Sequence, residues 1–214
     1  MFFSKYLRWI LVLPLLVLVG CVQQPLSSVD RTKYKTVALD PTIKVPDHYV
    51  YRDITGKRSR GMVGGVLGLL IGAASEGPGF KRFDAAASKN PIDIRTVVRR
   101  HMDGALRTAQ FLKVVSTNPD TTLRIEVTGY GLGPVHGREL GAMIAARAML
   151  VGRDGKTIWK KDEWAVSDTT TSLENLEANP KLWPRMADEA AESLARKLIL
   201  YTSKSTRTAA EPFM

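Results

Sequence analysis

The spacing of apolar residues changes several times along the chain, and each change marks an element. Tyr34 to Asp40, YKTVALD, alternates like a short strand, and Pro41 closes it. Residues 42–60 are polar and aperiodic, with Pro46, Gly56 and the basic group Lys57, Arg58 and Arg60. Farther on, Ile94, Val97, Val98, Met102, Ala105, Leu106 and Ala109 recur at helical spacing. Asn90-Pro91 supplies opening signals for that helix, a capping side chain followed by a preorganised proline. Phe111 to Ser116 reads as a strand, and Asn118-Pro119-Asp120 as a turn. Leu123, Ile125 and Val127 alternate with polar residues, predicting a half-buried strand that ends near Gly129, with Gly131 to Pro134 as a break.

Ala142 to Val151 is a strand of small residues. Asp154-Gly155 then signals a hairpin into Thr157 to Val166. A closing helix is expected from near Asn179-Pro180, with Trp183, Met186, Ala187, Ala190, Leu194, Leu198 and Tyr201 as its apolar stripe. This order predicts an α+β domain over residues 34–203, a mostly antiparallel sheet of about five strands with two main helices on one face. A glycine-rich insertion occupies about 42–89, and residues 204–214 read as a flexible tail.

The N-terminus follows different rules. Lys5 and Arg8 precede a twelve-residue apolar run, Trp9 to Gly20. That is short of the roughly 20 residues a spanning helix needs, and Pro14 interrupts it. A charged start, a short apolar core and small residues at its end describe a removable signal peptide over residues 1–20. The run ends in Leu18-Val19-Gly20-Cys21, and Cys21 is the only cysteine of the 214 residues. These four residues resemble a bacterial lipobox. The resemblance implies cleavage between Gly20 and Cys21, lipidation of Cys21, and acylation of the new amino group. It makes the membrane the first partner. Two or more acyl chains give the stable hold that one chain does not. Residues 21–33 would then be a lipidated tether. Because Val22 rather than aspartate follows the cysteine, the pattern implies outer-membrane sorting, facing the periplasm, in a Gram-negative cell.

The chain carries a formal charge of +10. Loss of residues 1–20 removes Lys5 and Arg8 and no acid, so the remainder is still strongly basic. In an envelope compartment this charge suits an anionic surface, and nucleic acid is not an expected partner.

The element order, with KTVALDP at 35–41, RTVVRRHMDGALRTAQFLKVV at 95–115 and the helix near 180–202, resembles a group of periplasm-facing lipoproteins. The curli secretion-channel lipoprotein and the ring-forming lipoproteins of polysaccharide export belong to it. The resemblance implies a sheet-and-helix domain that often assembles into rings. It brings no catalytic residue.

Two features point to contacts. In GMVGGVLGLLIGAASEGPG, Gly64, Gly68 and Gly72 fall four apart, with Gly61 and Gly65 beside them. On a helix they share one flat face. Each glycine weakens such a helix by about 1 kcal/mol, so this segment needs a packing partner or stays unformed. Packing on its own domain, a homo-oligomer contact and membrane insertion within an assembly are all open at this point. On the helix from Ile94, Arg95, Arg99, Arg100 and Arg107 lie largely off the apolar stripe. They form a solvated basic face or a site for an anionic partner.

Chemistry has little purchase. His48, His101 and His136 match no metal-ligand spacing, so no metal is expected. No phosphate-binding loop, dinucleotide fingerprint or nucleophile elbow occurs. Asp162 and Glu163 are adjacent in a strand and face opposite sides. We therefore expect no cofactor and no enzymatic activity. The expected function is that of a lipid-anchored envelope protein that binds and assembles with envelope partners, as an accessory or structural part of an export or surface-assembly system. The alternative is a monomeric periplasmic lipoprotein that holds an anionic ligand on its basic helix.

Overall fold

The strand that begins at Leu123, Ile125 and Val127 does not stop at Gly129. In the computed structural model, which describes residues 26–51, 77–109 and 112–203, it runs unbroken from Thr121 to His136. The elements are α1 (Ser28–Lys33), β1 (Thr36–Leu39), β2 (Val50–Tyr51), α2 (Pro78–Ala87), α3 (Ile94–Thr108), β3 (Lys113–Val114), β4 (Thr121–His136), β5 (Glu139–Gly152), β6 (Thr157–Thr171), α4 (Leu173–Ala178) and α5 (Leu182–Ser203).

The strands form one sheet in the order β3-β1-β4-β5-β6, with β2 also paired to β4. The expected mostly antiparallel sheet is corrected to a mixed one. β4, β5 and β6 form an antiparallel meander, but β1 runs parallel to both β3 and β4, and β2 parallel to β4. The cause is the helix between β1 and β3. A strand–helix–strand crossover brings the chain back in its original direction.

β4 stays in the sheet through its glycines because its register shifts between Val127 and Gly129. Before the shift Leu123, Ile125 and Val127 face the core. After it Tyr130 and Leu132 do, opposite Ile144 and Ala142 of β5. On β5 the alternation is unbroken, and Leu140, Ala142, Ile144, Ala146, Ala148 and Leu150 are each at most 1% exposed.

α3 contributes Ile94, Val98, Met102 and Leu106 to the core. α5 contributes Trp183, Met186, Ala187, Ala190, Ala191, Leu194, Ala195 and Leu198. α5 packs on β5, β6 and α3, and its alanines let it lie close to the small residues of β5. These are the two main helices the periodicity predicts.

Local differences have plain causes. The cap of α3 is Asp93, not Asn90. Its carboxylate accepts from the Arg95 N–H at 3.0 Å and the Thr96 hydroxyl at 2.6 Å. Proline disfavours helical geometry in the residue before it, which leaves Asn90 outside. Of the expected strand 111–116, Phe111 lies outside the described residues and only Lys113–Val114 of the remainder is strand. Within the aperiodic insertion, residues 78–87 form α2, started by Pro78 and buried through Phe83, Ala86 and Ala87. In the expected tether, Leu26 is only 2% exposed and belongs to the core, and Ser27 caps α1 by accepting from the Asp30 N–H at 3.0 Å. The signal peptide and Cys21, the glycine-rich residues 52–76 and the tail 204–214 lie outside the described residues.

The capping assignment is testable. Asp93→Ala should lower unfolding stability by about 1 kcal/mol and speed amide exchange in the first turn of α3. Asn90→Ala should leave both nearly unchanged. Denaturant melts and hydrogen exchange on the two variants decide it.

Candidate functional site

β4 is long enough to give the domain two distinct poles. β1, β3, β4 and β6 start at one pole, where β5 ends. β2 pairs with β4 at Gly131 and Leu132, ten residues farther along, which is about 33 Å of strand. Gly131 makes that pairing possible. Its φ is +154°, and a Cβ there would fall 1.8 Å from the Val50 carbonyl oxygen.

At this far pole, aromatic side chains gather around Phe83 of α2, which is fully buried. The Tyr51 ring stacks on Phe83 at 5.9 Å, and Tyr49 meets it edge-on at 5.2 Å. Trp183 of α5 closes the other side at 5.0 Å, and Phe80 and Tyr130 flank Tyr49. Gly79 presses on Tyr51 so closely that a Cβ would lie 2.5 Å from the Tyr51 ring. The Tyr49 hydroxyl donates to Asp84 of α2. Such ring pairs contribute about 0.5–1.5 kcal/mol each beyond simple burial.

Tyr51 and Gly77 are the described residues on either side of the glycine-rich segment. The nest therefore holds β2 and α2, the described chain on either side of residues 52–76, against each other. Gly61, Gly64, Gly65, Gly68 and Gly72 themselves lie outside the described residues. Burial, then the bond to Asp84, pushes the Tyr49 hydroxyl up to about 12. Burial also raises that of Tyr130, helped by the charges of Asp47 and Asp93. Between Tyr49, Ser88, Pro91, Tyr130 and Trp183 is a cleft of about 130 Å³. It is small beside the roughly 300–1,000 Å³ of ordinary ligand pockets.

The basic helix is placed differently from a free anion site. Arg95 Nε donates to the Ile43 carbonyl at 3.1 Å, and Arg99 to that of Pro41. Arg100 and His101 converge on Asp188 of α5, with His101 Nε2 at 2.8 Å. Arg107 pairs with Asp103 one turn back at 2.8 Å. Each of the four arginines thus has a partner within the chain. Asp162 pairs with Arg147 of β5 at 2.8 Å, while Glu163 lies 4.0 Å from Lys161, so the two carboxylates do occupy opposite faces. Among the described residues no cluster of His, Cys, Asp and Glu could hold a metal, and no helix is long and apolar enough to cross a membrane.

The aromatic nest was missed by periodicity. Its members are scattered over β2, α2, β4 and α5. The only sequence trace is the density of rings at Tyr49, Tyr51, Phe80 and Phe83 on either side of the glycines.

No protein-family model matches the chain, and no curated protein matches it. Solved structures resemble it. A Xanthomonas campestris protein of the family DUF330 is 13% identical over 86% of this chain and 88% of its own, with a TM-score of 0.41. A PelC dodecamer from Paraburkholderia phytofirmans is 14% identical over 54% of this chain and 80% of its own, with a TM-score of 0.35. A Caulobacter crescentus lipoprotein is 16% identical over 51% and 80%, also with a TM-score of 0.35. The structural neighbours thus include bacterial lipoproteins, and another neighbour is a dodecamer.

The raised Tyr49 group sets an alkaline test. Its neutral form is favoured in the folded state, so its contribution is complete below about pH 10, the unfolded value, and is lost as pH rises toward about 12. In tyrosinate absorbance titrations, Tyr49→Phe should remove one late-titrating phenol. It should also flatten the fall of stability between those pH values.

Proposed function

We propose that the chain is a lipid-anchored cell-envelope protein that works by binding and assembly, as a structural or accessory part of an export or surface-assembly system. The leader supports this reading: a short apolar run ends in a lipobox-like Leu18-Val19-Gly20-Cys21 with the sole cysteine at its close. Val22 after it favours the periplasmic face of the outer membrane. The observation that carries the assembly half is the aromatic clamp. The ring contacts of Tyr49, Tyr51 and Phe83 hold together β2 and α2, which flank the glycine-rich segment, at the pole away from the entry of the N-terminal chain. An uncharged, small-residue stretch such as Gly61 to Ala74 suits close contact with a second copy or an envelope partner. The reading in which Arg95, Arg99, Arg100 and Arg107 hold an anionic ligand draws less support, since each is already bonded inside the chain.

Two measurements test the proposal. Cys21→Ser should abolish lipid attachment and leave the unprocessed precursor or a chain released from the membrane. Normal processing and membrane retention of that variant would refute the anchor. Light scattering on the detergent-extracted protein should give a defined oligomer. Changing Gly64, Gly68 and Gly72 to leucine should break it into smaller species. A monomer in both cases would leave the glycines with no role in assembly.

A further inference from the structure

The pole where the N-terminal chain joins the domain carries a charge pattern of its own. Lys33 and Lys35 flank the entry to β1, Lys113 opens β3, and Arg153 and Lys156 bracket the β5–β6 turn. Arg107 closes the last turn of α3 beside Lys113. The carboxylates of this pole are each engaged by a neighbouring group. Asp120 accepts from the backbone N–H groups of Lys35 and Thr36 and pairs with Arg153 at 3.1 Å. Asp154 Oδ1 accepts from the Lys156 N–H within its turn, Asp103 is held by Arg107, and Asp30 accepts from the Ser27 hydroxyl. Lys33, Lys35, Lys113 and Lys156 are exposed, and the Lys156 side chain is 84% exposed with only a long 3.8 Å approach to Asp154. The far pole is also basic, through Lys81, Lys89, Arg138 and Lys181, while Arg82 there is gripped by Glu177 and Glu174; what sets the first pole apart is that the N-terminal chain enters there.

The length of the tether decides what this pole faces. Leu26 is 2% exposed in the core. Cys21 is five residues earlier, so it lies within about 17 Å of Leu26 even when that stretch is fully extended. α1 adds only six residues between there and Lys33, about 9 Å of helix. A lipid on Cys21 is therefore tied to the domain through the pole where α1 enters β1. The far pole is about 33 Å of strand beyond.

We propose that this pole is a docking face for an anionic phospholipid bilayer, with Lys33, Lys35, Lys113 and Lys156 against the lipid phosphates. It rests on the lipid-anchor reading above for the choice of surface. Basic side chains within a Debye length of an anionic leaflet are attracted to it, and salt screens the attraction. Held at one end by acyl chains and on its face by lysines, the domain stands with β2 and α2 on the side away from the membrane that anchors it.

The test uses residues 21–214 with Cys21→Ser, which keeps every described residue and carries no lipid. Its outcome is therefore independent of whether Cys21 is acylated in the cell. The protein should co-sediment with vesicles containing phosphatidylglycerol, not with pure phosphatidylcholine, and added salt should release it. Lys33→Glu, Lys35→Glu, Lys113→Glu and Lys156→Glu together should weaken binding by about tenfold or more. Equal charge reversal at the far pole, through Lys81→Glu, Lys89→Glu, Arg138→Glu and Lys181→Glu, should leave it within about threefold. Equal loss in both sets would mean a net-charge effect and overturn the proposal, as would unchanged binding in the first set. A glutamine version of the first set, with an unaltered melting profile, guards against misfolding and should show a smaller loss of the same kind.

Discussion

One strand has to keep a buried face from end to end of the domain, and the rest of the architecture follows from how it does so. β4 alternates correctly up to Val127 and then meets Thr128-Gly129-Tyr130-Gly131. Without a register shift, Tyr130 and Leu132 would turn away from the helices. The irregularity between Val127 and Gly129 rotates the remainder by one residue, so that these side chains rejoin the core opposite Ile144 and Ala142. Gly131 then admits the Val50 backbone at a distance no side chain would allow. β2, and with it Tyr49, Tyr51 and the aromatic nest, owes its position to this short run of glycines in a neighbouring strand.

The charged bonds of α3 serve another purpose. Arg100 and Asp188 are 62% and 41% exposed, a setting in which an ion pair is worth about 0–1 kcal/mol. Arg95 and Arg99 bond to the carbonyls of Ile43 and Pro41, in the chain just after β1. Such bonds add little stability beside the burial of Val98, Met102 and Leu106, which are at most 2% exposed. They set the direction of the irregular chain that leads to β2, and so help deliver Tyr49 and Tyr51 to α2.

Much of this was legible from spacing alone. The stripes of α3 and α5, the Asp154-Gly155 turn and the small-residue strand at β5 each depend on local periodicity, which one sequence records. Parallel pairing of β1 and β3 depends on which way a crossover folds, and no local pattern encodes it. The continuation of β4 was hidden for a related reason. Gly131 and Gly133 look like breakers until a second backbone, at Val50, is known to approach. α2 was missed because its buried side, carried by Phe83, Ala86 and Ala87, is narrow and lies in a basic stretch. The arginines were identified as a face, but their partners at Pro41, Ile43 and Asp188 are distant in sequence. The aromatic nest is wholly tertiary. The lipidation residue and the glycines, both read from sequence, lie outside the described residues and stand as proposals.

The sheet edges bear on how such a domain could assemble. β6 is a 15-residue edge strand, the kind of edge that invites another chain. It is blunted near its middle. The Trp164 N–H donates to Glu163, and the Trp164 carbonyl accepts from Lys197 of α5, whose ammonium also sits 5.6 Å from the Trp164 ring. Farther along, the Thr169 N–H is taken by Glu189 at 2.8 Å. The opposite edge, β3, offers only two residues. Neither edge therefore presents a long open ladder to a second copy. Sheet extension along β6 is thus discouraged at these positions. On the proposed reading one end is taken by the bilayer. The other end, where β2 and α2 flank the glycine-rich residues, is then where copies or partners would meet, with the β4–β5–β6 meander spanning the distance between the two.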